Sequence, residues 1–108
     1  MSKYYNRKCE LDGIRFDSIK EMNHYAELKV LEKGGVIKDL KLQPEYILVP
    51  AYIDNGKKVR PIIYRADFAY TENGKSVVED VKGFKTDVYK LKKKIFRYMY
   101  PAIDFREI

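Results

Sequence analysis

The sequence predicts an α/β domain in the order helix, three-stranded antiparallel meander, helix, final strand. Three observations lead there: a capped segment at helical spacing from Ser18 to Lys33, a following stretch rich in Ile, Val and Tyr that is broken twice by Asn-Gly, and a second capped helix after Thr86. With 108 residues, 45% of them hydrophobic, and no Pro/Ser-rich linker, the chain reads as one domain over 1–108 with a single core.

Ser18 and Glu21, three residues apart, form a capping-box pattern at the start of the first helix. Met22, Tyr25, Leu28 and then Leu31 or Glu32 recur along "IKEMNHYAELKVLEKGG", and Gly34-Gly35 supplies the stop. Asn55-Gly56 and Asn73-Gly74 are two-residue hairpin turns, which divide the β-rich stretch into three strands. Thr86 caps the second helix, whose predicted buried stripe is Val88, Leu91, Ile95 and Met99, and Pro101 ends it. The closing "AIDFREI" alternates Ile103, Phe105 and Glu107 against Asp104, Arg106 and Ile108, as a strand does.

Several classes are set aside by composition. Cys9 is the lone cysteine and forms no internal disulfide, and the opening "MSKYYNRKCE" lacks the apolar core of a secretory signal, so a reducing, cytoplasmic setting is expected. No apolar run approaches the roughly 18 residues of a membrane-spanning helix. Net charge is +6 and the pI about 9.3, which favours a polyanionic partner, with nucleic acid the commonest. The excess is concentrated late in the chain: Lys82, Lys85, Lys90, Lys92, Lys93, Lys94 and Arg97 stand against the single acid Asp87. Solubility alone does not require this much positive charge. Lys85, Lys90, Lys93, Lys94 and Arg97 are therefore candidate contacts to a DNA backbone, and Tyr4, Tyr5 or Tyr89 are candidates to stack on unpaired bases.

The candidate chemistry lies in "YRADFAYTENGKSVVEDVKG", Tyr64 to Gly83. A type I′ turn at Asn73-Gly74 sets Glu72 opposite Lys75, Tyr70 opposite Val77, Asp67 opposite Asp80 and Arg65 opposite Lys82. Alternation then projects Asp67, Asp80 and Lys82 from one face, and Ala66, Phe68, Val77, Glu79 and Val81 from the other. Like charges directly opposed on a sheet destabilise it, and a divalent Mg²⁺ or Mn²⁺ ion held by both carboxylates offsets the repulsion. Lys82 beside such an ion is placed to orient an attacking water, which outlines a phosphodiester-hydrolysing site. The competing explanation is a solvated charged face. Against it, Ile63, Ala69 and Val78 share the face, which places the aspartates at the margin of a core. His24 has no Cys or His partner at ligand spacing, so zinc is not expected and His24 reads as structural.

An Asp in one strand, an acid-x-Lys in the next across a hairpin, and a Glu on the preceding helix resemble the PD-(D/E)XK nuclease superfamily, with its restriction-endonuclease-like core. Here the residues are Ala66-Asp67, Asp80-Val81-Lys82 and Glu21 of "FDSIKE", with Ala66 where the superfamily often has Pro. From about Glu10 onward the chain resembles a family of small phage and prophage proteins in that superfamily, related to Holliday-junction resolvases. The resemblance implies that Asp67, Asp80 and Glu21 hold Mg²⁺ or Mn²⁺, with the Val81 carbonyl as a further ligand and Glu27 as the substitute for Glu21 if the helix is rotated. It also implies that Lys82 positions the water. The implied activity is a metal-dependent DNA endonuclease acting on DNA by structure rather than sequence, branched or junction DNA included, with a homodimer expected for junction cleavage and the host cytoplasm as its setting if phage-encoded. The alternatives are a non-catalytic DNA-binding module or a phage interaction protein on the same fold.

Overall fold

The computed structural model describes residues 9–81 and 83–108, so Tyr4, Tyr5 and Lys82 lie outside the described residues. A short hairpin of β1 (Glu10–Leu11) and β2 (Ile14–Arg15) leads into α1 (Ile19–Lys33). Ser18 is extended, and its hydroxyl accepts the Glu21 amide at 3.0 Å, which satisfies one of the orphan donors of the first turn. The helix stops as the Gly pair predicts. Gly35 takes φ +80, and the Val36 amide returns to the Leu31 carbonyl at 2.9 Å.

Seven strands follow: β3 (Lys38–Leu42), β4 (Glu45–Val49), β5 (Tyr52–Asp54), β6 (Lys57–Val59), β7 (Ile62–Arg65), β8 (Phe68–Glu72) and β9 (Lys75–Asp80). After them come α2 (Asp87–Met99) and β10 (Asp104–Glu107). The main sheet is ordered β10-β9-β8-β3, antiparallel except for the parallel β9–β10 pair. Parallel neighbours need a crossover, and α2 provides it. The described residues are thus mixed α/β with two helices, as expected.

The meander differs from the predicted one in its middle strand. Both Asn-Gly turns form, with φ of 52 and 79 at Asn55 and Gly56 and of 53 and 76 at Asn73 and Gly74, the left-handed pair of a type I′ turn. The segment around the first turn, however, leaves the sheet as its own hairpin, in which β4 pairs with β7 and β5 with β6. Pro50 and Pro61 lack an amide hydrogen and fall between these two short ladders, which explains the interruption. The third antiparallel strand of the sheet is β3, paired with β8. Gln43, at φ 52, turns the chain out, and its amide donates to the Asp67 carbonyl at 2.9 Å.

Each face of the sheet has its own core. Phe16, Tyr25, Leu28, Ile37, Phe68 and Tyr70 pack with Val77 and Val81 on the α1 side. Leu48, Tyr64, Ala66, Ala69 and Val78 pack with Tyr89 and Phe96 on the α2 side. Here the predicted stripe of α2 needs correction. Tyr89 and Phe96 are buried, whereas Val88 is 62% exposed, Leu91 58% exposed and Met99 also exposed; only Ile95 of that stripe is partly buried. Aromatic rings bury more area than the aliphatic residues they displace, and Phe96 sits with centroid distances of 4.8 Å to Tyr46, 5.1 Å to Tyr64 and 5.2 Å to Tyr100. Burial of such a ring contributes about 1.5–3 kcal/mol.

Candidate functional site

The β8–β9 hairpin keeps the predicted register from Glu72↔Lys75 to Phe68↔Glu79 and then departs from it. The Asp67 amide donates to the Glu79 carbonyl at 3.1 Å, although Glu79 already faces Phe68, so two residues of one strand oppose one of the other. This is a β-bulge, and it shifts alternation by one residue. Its trace is visible in the core: Ala66 packs with Ala69 and Val78 on the α2 side, where strict alternation predicts it beside Phe68. The expected face-to-face pairing of Asp67 with Asp80 is therefore not formed.

The bulge instead brings Asp67 onto the segment that carries Asp80. Asp67 Oδ2 accepts the Val81 amide at 2.7 Å, a charge-assisted bond that fixes the carboxylate beside the end of β9. Asp80 has no exposed surface, and its Oδ2 accepts a hydrogen bond from the Tyr64 hydroxyl. Burial, then that bond and the Asp80 charge, raise the Tyr64 phenol well above its ordinary range, and the Asp67 charge adds to the rise. Tyr64 thus remains a proton donor to Asp80 at any physiological pH. Burial also raises Tyr89, followed by its bond to Glu107 and the charges of Asp80, Glu107 and Asp67. Both aspartates act on the same two phenols.

Glu21, at the first turn of α1, is buried and shares a cleft of about 340 Å³ with Asp67; Arg15, Phe16, Leu42 and Gln43 also line it. Glu27 is not its equivalent. Its side chain is 74% exposed and pairs with His24 Nδ1 at 3.5 Å. His24 Nε2 lies 2.5 Å from Glu79 Oε1, and the Tyr70 hydroxyl donates to Glu79 Oε2. Glu79 is thereby held on the α1 side, opposite Asp80, which agrees with a structural His24. Lys82 lies outside the described residues.

Among the described residues no three His, Cys, Asp or Glu side chains gather as a ready metal cage. Asp67 and Glu21 open on one cleft and carry the carboxylate oxygen a hard cation takes, while Asp80 is fully buried, one residue before the Val81 amide that Asp67 accepts.

The predicted DNA contacts on α2 and just before it are partly engaged within the protein. Lys85 and Lys93 reach Glu107 at 3.3 Å and 3.0 Å, and Tyr89 donates to the same carboxylate at 2.6 Å. Lys93 and Arg97 also lie over the Phe105 ring at 5.8 Å and 5.7 Å. Lys90, Lys94 and Arg97 are exposed, and with Lys93 they line a basic groove of about 350 Å³. Tyr64, Arg15 and Gln43 were not foreseen from the sequence. Strict alternation hides Tyr64 on the wrong face, and Arg15 and Gln43 reach the cleft only through the tertiary placement of the β1–β2 hairpin and the β3–β4 turn.

Fold and site together define a mixed α/β protein with an acidic cleft and a basic helix. The family described as "Protein of unknown function (DUF1064)" matches residues 1–108, and the chain belongs to it. No curated protein matches the chain. Among the described residues no helix is long and apolar enough to cross a membrane.

Proposed function

We propose that the protein is a metal-dependent DNA endonuclease with a restriction-endonuclease-like core, acting on branched or junction DNA as a homodimer. The observation that carries the reading is the bond from the Val81 amide to Asp67, which joins Asp67 to the Asp80-Val81 segment while Asp67 shares a cleft with Glu21. The β3–β8–β9 antiparallel trio between two helices, with β10 parallel to β9, supports the core. Exposed Lys90, Lys94 and Arg97 support a phosphate-backbone contact.

In this reading Asp67, Asp80 and Glu21 hold Mg²⁺ or Mn²⁺, which supplies positive charge at the scissile phosphate. The Val81 amide orients Asp67, and the Tyr64 hydroxyl orients Asp80. Lys82 positions the water that attacks phosphorus in line with the leaving oxygen; a P–O bond forms as the P–O bond to the sugar breaks.

The test incubates plasmid, linear duplex, single strands and a four-way junction with the protein in Mg²⁺, Mn²⁺ or EDTA. Cleavage should require the metal, and Asp67→Asn, Asp80→Asn and Lys82→Ala should each slow single-turnover cleavage by at least about 100-fold, the usual cost of one transition-state contact. DNA binding without cleavage under every condition leaves a binding module, and full activity in Lys82→Ala removes the mechanism.

A further inference from the structure

A second cleft, of about 440 Å³, opens on the α2 side between β7 and the start of α2. Its volume falls in the range of small-ligand sites. Two cations stand on it, Arg65 from β7 and Lys92 from α2, with Ile63 and Val88 as apolar surface. Tyr64, Tyr89, Thr86 and the Glu45 carboxylate complete the lining, so two cations face one anion; the two phenol hydroxyls are engaged by Asp80 and Glu107, and the tyrosines offer ring surface to a ligand. Val88 is 62% exposed, an unusual position for an aliphatic residue beside two cations. Lys92 carries no ion pair in the described structure beyond its place on this wall, and Arg65 faces only Glu45 at 3.9 Å, a loose pair between two exposed groups. Thr86 caps α2 at the same opening, so the positive end of the helix dipole adds to both cations.

Positive charge beside apolar and aromatic surface is the chemistry that takes one nucleotide of a single strand: phosphate to the cations, base against the apolar wall. A concave cleft of this size admits one nucleotide and not a duplex. The Tyr64 hydroxyl bonds the buried Asp80, so a nucleotide seated there is one side chain away from that carboxylate. The geometry points to a nucleotide-binding subsite formed by Arg65, Lys92, Ile63 and Val88, which holds an unpaired nucleotide of the DNA strand next to the bond that is cut. The assignment rests on the nuclease reading for the role of that nucleotide, while its binding is measurable without catalysis.

The experiment measures fluorescence anisotropy of a labelled eight-residue oligothymidylate in EDTA, where no metal-dependent cleavage occurs. Arg65→Ala with Lys92→Ala should weaken single-strand binding about tenfold or more and reduce the salt slope by about 1.4, as two lost phosphate contacts at about 0.7 each require. The charge-matched pair Lys33→Ala with Lys38→Ala, at the end of α1 and the start of β3 and outside the lining of the cleft, should change it less than about twofold. Val88→Ser, an exposed substitution that removes apolar surface and leaves every charge in place, should also weaken binding. Equal losses in the two alanine pairs would reduce the effect to net charge and overturn the subsite. Competition by inorganic phosphate as strong as by thymidine monophosphate would also overturn it, by leaving an anion site with no place for a base. Single-strand binding that fails in Arg65→Ala/Lys92→Ala while cleavage is absent from the unaltered protein would uphold the subsite and sink the nuclease reading; the reverse pattern would do the opposite.

Discussion

Glu107→Gln tests how α2 is held against the sheet. The Glu107 carboxylate accepts the Tyr89 hydroxyl at 2.6 Å and pairs with Lys93 at 3.0 Å and Lys85 at 3.3 Å. The Tyr89 bond first, then the two lysines, lower its pKa from 4.5 to about 2 against an opposing desolvation. A shift of this size corresponds to roughly 3 kcal/mol at about 1.4 kcal/mol per unit. The side chain is 22% exposed and both lysines are more exposed still, so solvent screening brings the contribution to about 1–2 kcal/mol. Glutamine keeps an oxygen for Tyr89 and loses the charge. Because the folded pKa is depressed, the stabilisation is fully present above the unfolded value of 4.5 and is lost as pH falls toward about 2. Urea unfolding at pH 7 should therefore place the variant about 1–2 kcal/mol below the parent, roughly 5–10 °C in Tm. The gap should narrow steadily below pH 4.5, to about a quarter of its size at pH 2.5, and vanish as pH falls through about 2. A gap that stays constant down to pH 2.5 would mean that packing, not charge, holds the contact, and would refute the ionic account of how α2 is anchored.

Tyr64→Phe removes the donor to the buried Asp80 and should cost about 1–3 kcal/mol by urea unfolding at pH 7; an unchanged midpoint would show that the bond does not stabilise the fold. Removing charge from the exposed face of α2 with Lys90→Ala and Lys94→Ala should weaken duplex binding for all sequences alike and flatten its dependence on salt. An unaltered slope would leave these lysines as a solvated face.

What was legible in the sequence was local. Ser18 caps its helix because the hydroxyl and the Glu21 amide are three residues apart, and Asn73-Gly74 sets its hairpin register because only a left-handed pair closes a two-residue loop. The choice of face on α2 was not local. The helix offers two stripes at helical spacing, Val88–Leu91–Ile95–Met99 and Tyr89–Phe96, and periodicity alone cannot rank them. Glu107 and the ring cluster around Phe96, both distant in sequence, decide in favour of the second. Pro50 and Pro61 marked where ladders break, but not that the whole segment between β3 and β8 would leave the sheet. The capping position turns Glu21 inward to the cleft, whereas Glu27 faces outward beside His24. The Asn73-Gly74 register sets Asp67 opposite Asp80, but the bulge at the Glu79 carbonyl separates them, and no residue type in the sequence signals it.

The bulge changes what the pair of aspartates requires. In a regular ladder their Cβ atoms would stand about 5 Å apart, and two unit charges at that separation repel by roughly 3 kcal/mol at an effective dielectric of about 20. That repulsion was the reason to invoke a cation in the fold. Here the Val81 amide supplies a charge-assisted bond to Asp67 and the Tyr64 hydroxyl one to Asp80, each contributing about 1.5–3 kcal/mol, so protein donors offset the repulsion on their own. The fold is therefore expected to form without metal. If Mg²⁺ or Mn²⁺ raises the melting temperature, the increment measures the affinity of the acidic cleft and not the repair of an unstable hairpin. It should vanish in Asp67→Asn without any loss of the folded state in EDTA, and metal-dependent folding of the unaltered protein would overturn that separation.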